Sequence, residues 1–295
     1  MPDSVTVRVP ATSANLGPGF DCLGLALRLT AEATLALRPD EEAQGPIEAM
    51  AVAAARAAYR AAERPEPEEL TCSWHGDLPI ARGLGVSAAA RAAGLVGANA
   101  LMGKPLSDDD LLELGALLEG HADNMAPALF GGLQIVVDED SSWKRLAVPL
   151  PPGMKIVLLV PDFEMPTQQS RSKLPAKVSL EEAVFNVGRA ALLVAALAQG
   201  RWELLDAATK DKLHQPARSR IFPALYDVFD AAKLGGARAA YLSGGGSTVA
   251  ALVETGSDEG RVARLMEQAA KARGYSVRMM FTEPSAEGAR VVGSH

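Results

Sequence analysis

The feature that most constrains this chain is a glycine-rich segment that leads directly into an alanine-rich one. Residues 79–89 read Pro-Ile-Ala-Arg-Gly-Leu-Gly-Val-Ser-Ala-Ala. Glycines at positions 83 and 85 remove side chains from the turn, so a row of backbone N–H groups can close on an anion. The alanines that follow favour a helix, whose N-terminal end attracts negative charge. The segment predicts a phosphate-binding loop, although taken alone it is better explained as a plain packing turn.

The loop departs from the standard nucleotide-binding sequences. It lacks the Gly-Lys-Ser/Thr ending of a P-loop and the Gly-x-Gly-x-x-Gly spacing of a dinucleotide-binding fold. A phosphate loop without its own lysine needs positive charge from Mg²⁺ and from distant side chains. Ser87 is placed to cap the helix and to reach such a metal with its hydroxyl. The sequence therefore predicts an acidic metal ligand elsewhere in the chain.

Length and charge narrow the class of protein. With 295 residues, the chain is long enough for two domains with substantial cores. Its net charge of −7 argues against a nucleic acid or an anionic membrane as partner, since both bind basic surfaces. Its two cysteines, Cys22 and Cys72, suit a reducing compartment and lack metal-binding spacing. No signal segment or membrane-spanning run is visible, so we expect a cytoplasmic protein.

Hydrophobic periodicity predicts strands and helices mixed along both halves of the chain. A rigid linker at 149–153 separates residues 1–150 from residues 151–295. We therefore expect an α+β protein of two domains with a cleft between them. The predicted strands are 5–9, 23–37 (two strands around a turn), 70–74, 133–137, 155–160, 239–242, 249–253 and 275–281. The predicted helices are 46–62, 88–102, 108–119 (capped by Ser107), 180–199, 202–213, 222–234 and 260–273.

Two segments combine glycines with polar side chains. Residues 10–21 lie between predicted strands and hold Asn15 and Asp21, which fits a substrate-binding loop or a long surface turn. Residues 243–248 read Ser-Gly-Gly-Gly-Ser-Thr, which fits an anion-binding turn or a plain hairpin.

A third segment, residues 118–132, is harder to explain as surface. It places polar side chains at a predicted helix end among apolar neighbours, which a solvated helix end does not require. These side chains are Glu119, His121, Asp123 and Asn124. We expect them to face a binding site.

Together these segments resemble the GHMP kinases, which phosphorylate small metabolites such as galactose, homoserine and mevalonate. Residues 79–89, 10–21 and 243–248 are similar to the three motifs of that superfamily. Within it, the homoserine kinases are most similar at residues 10–21, 119–124, 161–171, 183–186 and 211–218. The resemblance covers the chain from about residue 5 to about residue 253.

The resemblance implies a fold and an activity. The fold is a two-domain GHMP kinase with a ribosomal protein S5-like N-terminal domain, a ferredoxin-like C-terminal domain and the active site between them. The activity is ATP-dependent phosphorylation of the side-chain hydroxyl of L-homoserine, in threonine biosynthesis, with Mg²⁺. The expected partner is this small molecule, without nucleic acid or membrane, and a homodimer is left open.

The resemblance also implies roles for individual residues. Ser87 and Glu119 are expected to hold Mg²⁺, and Asn124 to orient the reacting hydroxyl beside Asp123, whose action as a base is left open. The residues expected to surround the ATP phosphates are Pro79, Ile80, Ala81, Arg82, Gly83, Leu84, Gly85, Val86, Ser87, Ala88 and Ala89. The residues expected to bind homoserine are Asn15, Asp21, His121, Asp123, Asn124, Arg171, Arg218 and Gly244. This division suits the ligand, because arginine forks bind carboxylates and carboxylates bind ammonium groups.

Some positions depart from the family's pattern. Val86, Arg91 and Ser247 stand where the family usually has a serine, a small residue and a proline, and residues 47–52 lack an asparagine that commonly helps recognise adenine. Two explanations of these departures stay open, which are drift in an alanine-rich chain and weakened nucleotide binding. The alternatives are a GHMP kinase for another small alcohol and a protein that binds ligand without catalysing. The two arginines favour an amino-acid substrate, and intact Ser87 and Glu119 favour catalysis.

Overall fold

The fold is taken from a computed structural model that describes residues 2–38, 45–140 and 142–294. The described residues form a six-stranded and a four-stranded sheet with helices packed on them. The strands are β1 Ser4–Asn15, β2 Gly19–Ala36, β3 Thr71–His75, β4 Leu133–Glu139, β5 Ser142–Val148, β6 Lys155–Pro161, β7 Ala239–Leu242, β8 Val249–Val253, β9 Val277–Thr282 and β10 Arg290–Ser294. The α-helices are α1 Pro46–Ala61, α2 Val86–Leu101, α3 Asp108–Glu119, α4 Met125–Phe130, α5 Thr167–Ser172, α6 Leu180–Gln199, α7 Leu205–Ala208, α8 Gln215–Arg218, α9 Leu225–Gly235 and α10 Glu259–Ala272, with a 3₁₀ turn at Trp202–Leu204.

The six-stranded sheet is built around the long strand β2. Its order is β10-β1-β2-β4-β5, and β3 also pairs with β2. Since β2 has 18 residues, its first part pairs with β4 and its last part with β3. Helices α1 and α2 pack on this sheet, with their many buried alanines allowing a close approach. The core there includes Val7, Leu35 and Leu95.

The four-stranded sheet has the order β7-β8-β6-β9 with antiparallel pairs throughout. In chain order it reads strand, helix, strand, strand, helix, strand, which is the ferredoxin-like arrangement. Strand β6 is buried on both faces because its side chains alternate between two cores. Val157 and Leu159 join the core with α9 and α10. Ile156 and Leu158 join a core shared with the first hairpin and α6.

The first hairpin differs from the sequence prediction. Strand β1 continues past Pro10 to Asn15, so most of residues 10–21 is strand and not loop. Pro10 is tolerated because the pairing of β1 and β2 shifts register between Pro10 and Thr12. Residues 23–37 are not two strands around a turn, since β2 runs unbroken to Ala36. At residues 27–29 the pairing of β2 with β1 is interrupted. There the N–H of Arg28 donates to the carbonyl of Glu283.

The predicted helix 202–213 is also wrong. It ends at Ala208 because Asp211 accepts hydrogen bonds from the N–H groups of Leu213, His214 and Gln215, which starts a new turn. The prediction missed α4, α5, α8, β5 and β10, which are short or lie in polar segments. The capping of α3 by Ser107 is confirmed, with Asp110 completing the reciprocal pair of bonds. The other predicted helices and strands are confirmed to within a few residues.

Strand β10 returns to the first sheet at the end of the described chain. It pairs with β1, between Val5 and Arg8 on one side and Arg290 and Ser294 on the other. We propose a domain boundary near residue 150, with β10 added to the N-terminal half. Among the described residues, no helix combines the length and the hydropathy needed to cross a membrane.

Two glycines inside helices should respond in opposite ways to the same substitution. A Cβ on Gly94 of α2 would overlap the backbone of Ala51 on α1, so Gly94→Ala should destabilise the fold by about 1–3 kcal/mol. Gly188 of α6 has nothing within 4 Å of its Cβ position. There, Gly188→Ala should stabilise by up to about 1 kcal/mol through helix propensity. Urea unfolding of both variants measures this, and equal signs would contradict the close packing of α1 on α2.

Candidate active site

A cavity of about 250 Å³ brings the polar segments together. It opens between the phosphate-loop candidate, the tip of the first hairpin, the turn after α3 and the turn after β7. Its lining is Asn15, Asp21, Ile47, Met50, Ile80, Ala81, Gly83, Leu84, Gly85, Val86, Ser87, Glu119, His121, Asp123, Asn124, Pro166, Arg171, Arg218, Gly244 and Gly245.

The glycine-rich loop is fixed through its carbonyl groups. Those of Ala81, Arg82 and Leu84 accept from the N–H groups of Met165, Thr248 and Thr12, at 3.0–3.1 Å. The carbonyl of Gly83 accepts from the Ser243 hydroxyl at 2.7 Å. Because the carbonyls are directed into the protein, the loop can offer N–H groups to an anion.

The structure requires glycine at positions 83 and 85 for reasons other than flexibility. Both lie at positive φ, +76° and +64°. A Cβ on Gly83 would overlap the backbone of Ser243, and one on Gly85 would overlap the side chain of Thr12. The loop can therefore approach its neighbours this closely only with glycine at both positions.

Helix α2 begins at Val86, two residues earlier than a cap at Ser87 would require. Gly85 is its N-cap and provides no side chain, so the prediction that Ser87 caps the helix is wrong. The Ser87 hydroxyl instead donates to Oε2 of Glu119 at 2.8 Å. This bond joins the start of α2 to the end of α3. The first N–H groups of α2 lack partners within the helix and lie at the cavity.

Arg91 reaches the same pair of oxygens. It lies one helical turn after Ser87, and its Nη1 contacts both the Ser87 hydroxyl and Oε2 of Glu119. Its side chain is 21% exposed and that of Glu119 is 11% exposed. A guanidinium group thus already stands against the two oxygens expected to hold a metal.

The turn after α3 presents three neighbouring polar groups. Oδ1 of Asp123 is 2.6 Å from Nδ1 of His121 and accepts from the N–H of Asn124 at 2.9 Å. Burial lowers the pKa of His121, but the hydrogen bond to Asp123 and the charges of Asp123 and Glu119 outweigh it, so the pKa is raised overall. Oδ1 of Asn124 accepts from the hydroxyl of Thr12 at 2.7 Å, which directs its amide NH₂ away from Thr12.

The tip of the first hairpin is held in an unusual backbone conformation. Asn15, Leu16 and Asp21 have positive φ of 68°, 46° and 58°. Asn15 fixes this conformation by accepting from the N–H of Asp21 and donating to the carbonyl of Gly244, at 3.0 and 2.9 Å. Strained residues of this kind are common at binding sites, where the surrounding structure supports them.

Two arginines, Arg171 and Arg218, also line the cavity. Arg171 forms a two-pronged ion pair with Asp21 at 2.8 and 2.6 Å, which raises the pKa of Arg171. Arg218 is 2% exposed, and its buried Nε has no partner among the described residues. Burial and, next, the charge of Arg171 lower its pKa to about 10. Arg218 thus remains charged near neutral pH, and both guanidinium groups lie within 5.5 Å of the centre of the Phe20 ring.

A buried histidine supports Arg218. Nη1 of Arg218 donates to Nδ1 of His214 at 2.7 Å and to the carbonyl of Gly244 at 3.0 Å. Nε2 of His214 therefore carries the proton and donates to the carbonyl of Gly17 at 2.7 Å. Burial lowers the pKa of His214 to about 4, so this ring is neutral near pH 7.

The cavity contains most of the residues singled out from the sequence. All of those expected to bind the amino-acid substrate line it, as do the expected metal ligands Ser87 and Glu119. Pro79, Arg82, Ala88 and Ala89, expected around the phosphates, are not part of the lining. Ala88 and Ala89 are fully buried in the core, and Arg82 donates to the carbonyls of Pro161 and Asp162.

Sequence reasoning missed the residues that support the lining. Thr12, Phe20 and His214 hold Asn124 and the two arginines, and Arg91 contacts the expected metal ligands. All but Arg91 lie inside segments that the motifs had marked, which was the only signal available. The sequence marks Arg91 only as a departure from the family's pattern and gives it no role.

Comparison with known proteins identifies the class. The family description "GHMP kinases N terminal domain" matches residues 49–132, and "GHMP kinases C terminal" matches residues 193–272. Together with the fold and the glycine loop, these matches make the chain a GHMP kinase family member.

Relatives of known name narrow this further. The homoserine kinase of Moorella thermoacetica is 42% identical over 97% of this chain and 99% of its own length. That of Thermosynechococcus vestitus is 43% identical over 83% of this chain and 85% of its own. The crystal structure of homoserine kinase from Cytophaga hutchinsonii superposes with a TM-score of 0.85 at 28% identity, covering 99% of this chain and 98% of that one. The chain therefore belongs to the homoserine kinase family.

The buried His214 makes stability depend on pH in a defined direction. Because its pKa falls from 6.5 to about 4 on folding, the unfolded chain binds more protons between these values. The free energy of unfolding should therefore fall as pH drops from about 6.5 towards 4. His214→Gln should weaken this dependence, whereas the exposed His75→Gln should keep it. Urea unfolding at several pH values checks this, and equal pH slopes for wild type and His214→Gln would contradict it.

Proposed function

We propose that this chain transfers the γ-phosphoryl group of ATP to the side-chain hydroxyl of L-homoserine, giving O-phospho-L-homoserine for threonine biosynthesis. One observation carries the proposal. One cavity is lined both by the glycine-rich loop and by the arginine and aspartate side chains Arg171, Arg218, Asp21 and Asp123. The names and similarity of the relatives support the same reaction.

The arginine and aspartate side chains suit an amino acid. Arg218 is charged, rigidly held and has a buried N–H without a partner, so it is the group we assign to the carboxylate. Arg171 is oriented by Asp21 and adds a second positive charge. Asp21 and Asp123 are the carboxylates available to an ammonium group. We assign no ammonium-binding role to His121, because its raised pKa favours the protonated form.

The glycine-rich loop suits the nucleotide. The N–H groups of the loop and of the first turn of α2 would contact phosphate oxygens. Ile47, Met50 and Ile80 give the cavity apolar surface for the adenine base. Val86 removes a hydroxyl that a serine would offer, but the backbone donors do not depend on that side chain. A neutral hydrogen bond contributes only about 0.5–1.5 kcal/mol, so phosphate binding should persist.

The donor set at Ser87 and Glu119 fits Mg²⁺. A hydroxyl and a carboxylate oxygen lie 2.8 Å apart at the cavity, and a cationic group already binds both. Hard cations prefer such oxygens and take their remaining ligands from phosphate and water. When bound, Mg²⁺ would neutralise charge on the phosphate oxygens. Ser87 and Glu119 are the residues we propose to hold it.

Positioning is the main task of the remaining residues. Phosphoryl transfer has a loose transition state, so alignment and charge neutralisation matter more than a strong base. Asn124, oriented by Thr12, would direct the substrate hydroxyl towards the phosphate. Asp123 fixes both His121 and Asn124 through Oδ1. We therefore assign Asn124 an orienting role and assign no residue as base.

We also propose a cytoplasmic homodimer. Leu180, Val184 and Val187 form a stripe along α6 whose side chains are 81%, 64% and 71% exposed. A second copy of the chain would cover this surface. The thiols of Cys22 and Cys72 support a reducing compartment. Light scattering of wild type and a Val187→Lys variant would test the dimer, and a monomeric wild type would refute it.

A coupled assay of ADP release tests the reaction. Purified protein with MgATP should release ADP with L-homoserine well above the rates with mevalonate or galactose. Faster release with another alcohol would show that the substrate is wrong. Binding of homoserine and ATP without ADP release would instead show a protein that binds without catalysing.

Arg218→Lys separates the two groups of cavity residues. Lysine keeps the charge but loses the planar fork, so KM for homoserine should rise tenfold or more, about 1.4 kcal/mol per tenfold. KM for ATP should stay unchanged, because the hydrogen bonds of Arg218 go to His214 and Gly244 and not to the glycine-rich loop. The exposed Arg220→Lys is the matched control. A rise in KM for ATP would place Arg218 on the nucleotide side.

Glu119→Gln tests the metal ligand. The amide keeps the size of the side chain but removes the charge that Mg²⁺ prefers, so kcat should fall on the order of 10²-fold. KM for homoserine should change little. Glu113→Gln, at an exposed position on the same helix, is the control. Near-normal turnover of Glu119→Gln would show that Glu119 has only a structural role.

A further inference from the structure

Arg91 lies behind the cavity lining, and the proposed reaction gives it no task. Its guanidinium contacts Ser87 and Glu119, both of which line the cavity. It comes from α2, the same helix as Ser87, so its position is set by the helix and not by a mobile loop. The ion pair with Glu119 is largely shielded from solvent on both sides.

No other arginine or lysine in the described part of the chain contacts these two oxygens. Arg82, inside the loop, is held by backbone carbonyls of residues 161 and 162. Arg171 and Arg218 are engaged with Asp21, His214 and Gly244. Among the described residues, the positive charge in contact with the Ser87–Glu119 pair therefore comes from Arg91.

We propose that Arg91 is a built-in counter-ion that competes with Mg²⁺ for the Ser87–Glu119 pair. The inference rests on the proposed function, since it assumes that this pair holds the metal of a bound nucleotide. Both cations are attracted to the same carboxylate oxygen and the same hydroxyl. Mg²⁺ can take Oε2 of Glu119 only by displacing the guanidinium, and each cation weakens the binding of the other.

This competition has two consequences of opposite direction. Without metal, Arg91 neutralises Glu119 and lowers the repulsion between that carboxylate and the phosphates of ATP. With metal, Arg91 has to leave its partners, which reduces the net gain from Mg²⁺. In this chain the nucleotide should therefore bind comparatively well without metal, and Mg²⁺ should increase its affinity only modestly.

The experiment measures the binding of a nucleotide and does not depend on turnover. Calorimetric titration with the non-hydrolysable analogue AMPPNP gives a Kd in EDTA and a Kd in Mg²⁺ for each protein. The ratio of these values is the gain that the metal provides. In Arg91→Ala this ratio should be about tenfold larger than in wild type, because the uncovered Glu119 repels the metal-free nucleotide and binds Mg²⁺ without competition. Arg91→Lys keeps the charge and should retain a ratio close to that of wild type.

Arg60→Ala is the matched control. Arg60 lies on α1 outside the cavity lining, and like Arg91 it is paired with a glutamate, Glu66. Its ratio should equal that of wild type. Binding of AMPPNP with the same ratio in wild type and Arg91→Ala would refute the competition and leave the proposed function intact. A wild type that binds AMPPNP in neither medium would refute the nucleotide site itself, and the inference with it.

Discussion

The turn that follows β7 is the contact on which the site depends. The hydroxyl of Ser243 is 2.8 Å from that of Ser13 and donates to the carbonyl of Gly83. The carbonyl of Gly244 accepts from both Asn15 and Arg218. Through these few bonds, one turn of the C-terminal half fixes the end of β1, the glycine loop and a buried arginine. On the side of this turn, the bonds are made by a backbone carbonyl and a serine hydroxyl, neither of which titrates near neutral pH.

Most charged side chains at the cavity are held in a different way, because they form ion pairs with one another. Arg171 is paired with Asp21, and Arg91 with Glu119. Pairing keeps buried or half-buried charges from being left without a partner, which would destabilise the fold. A ligand that carries both charges can exchange partners with such pairs at little electrostatic cost. Arg218 differs, since the partners of its Nη1 are the neutral ring of His214 and a carbonyl, so its charge would be available to a ligand.

The sequence was sufficient for the parts of the molecule that follow local rules. Helices such as α6 and α3 were predictable from their periodicity, and α3 also from its cap at Ser107. Most residues lining the cavity were predictable because they fall in motifs, whereas Ile47 and Met50 of α1 do not. The contacts between distant segments were not. Nothing local shows that Pro10 falls at a bulge, or that Ser87 reaches Glu119 and does not cap its own helix. These outcomes depend on which strand or helix lies opposite, and that information is not local.

The return of β10 to the first sheet also bears on how the molecule is assembled. Residues 5–8 pair with β2 on one side and with residues 290–294 on the other, so the second edge of β1 stays open until almost the whole chain is available. An open strand edge can pair with other chains, and such distant pairing is slow to form. The N-terminal half cut at residue 150 would keep the core under helices α1 and α2, but it would expose this edge and the apolar face that it shares with the C-terminal half. The two halves therefore contribute separate groups of residues to the candidate active site, but they do not fold separately. The first sheet is complete only when both ends of the polypeptide are present.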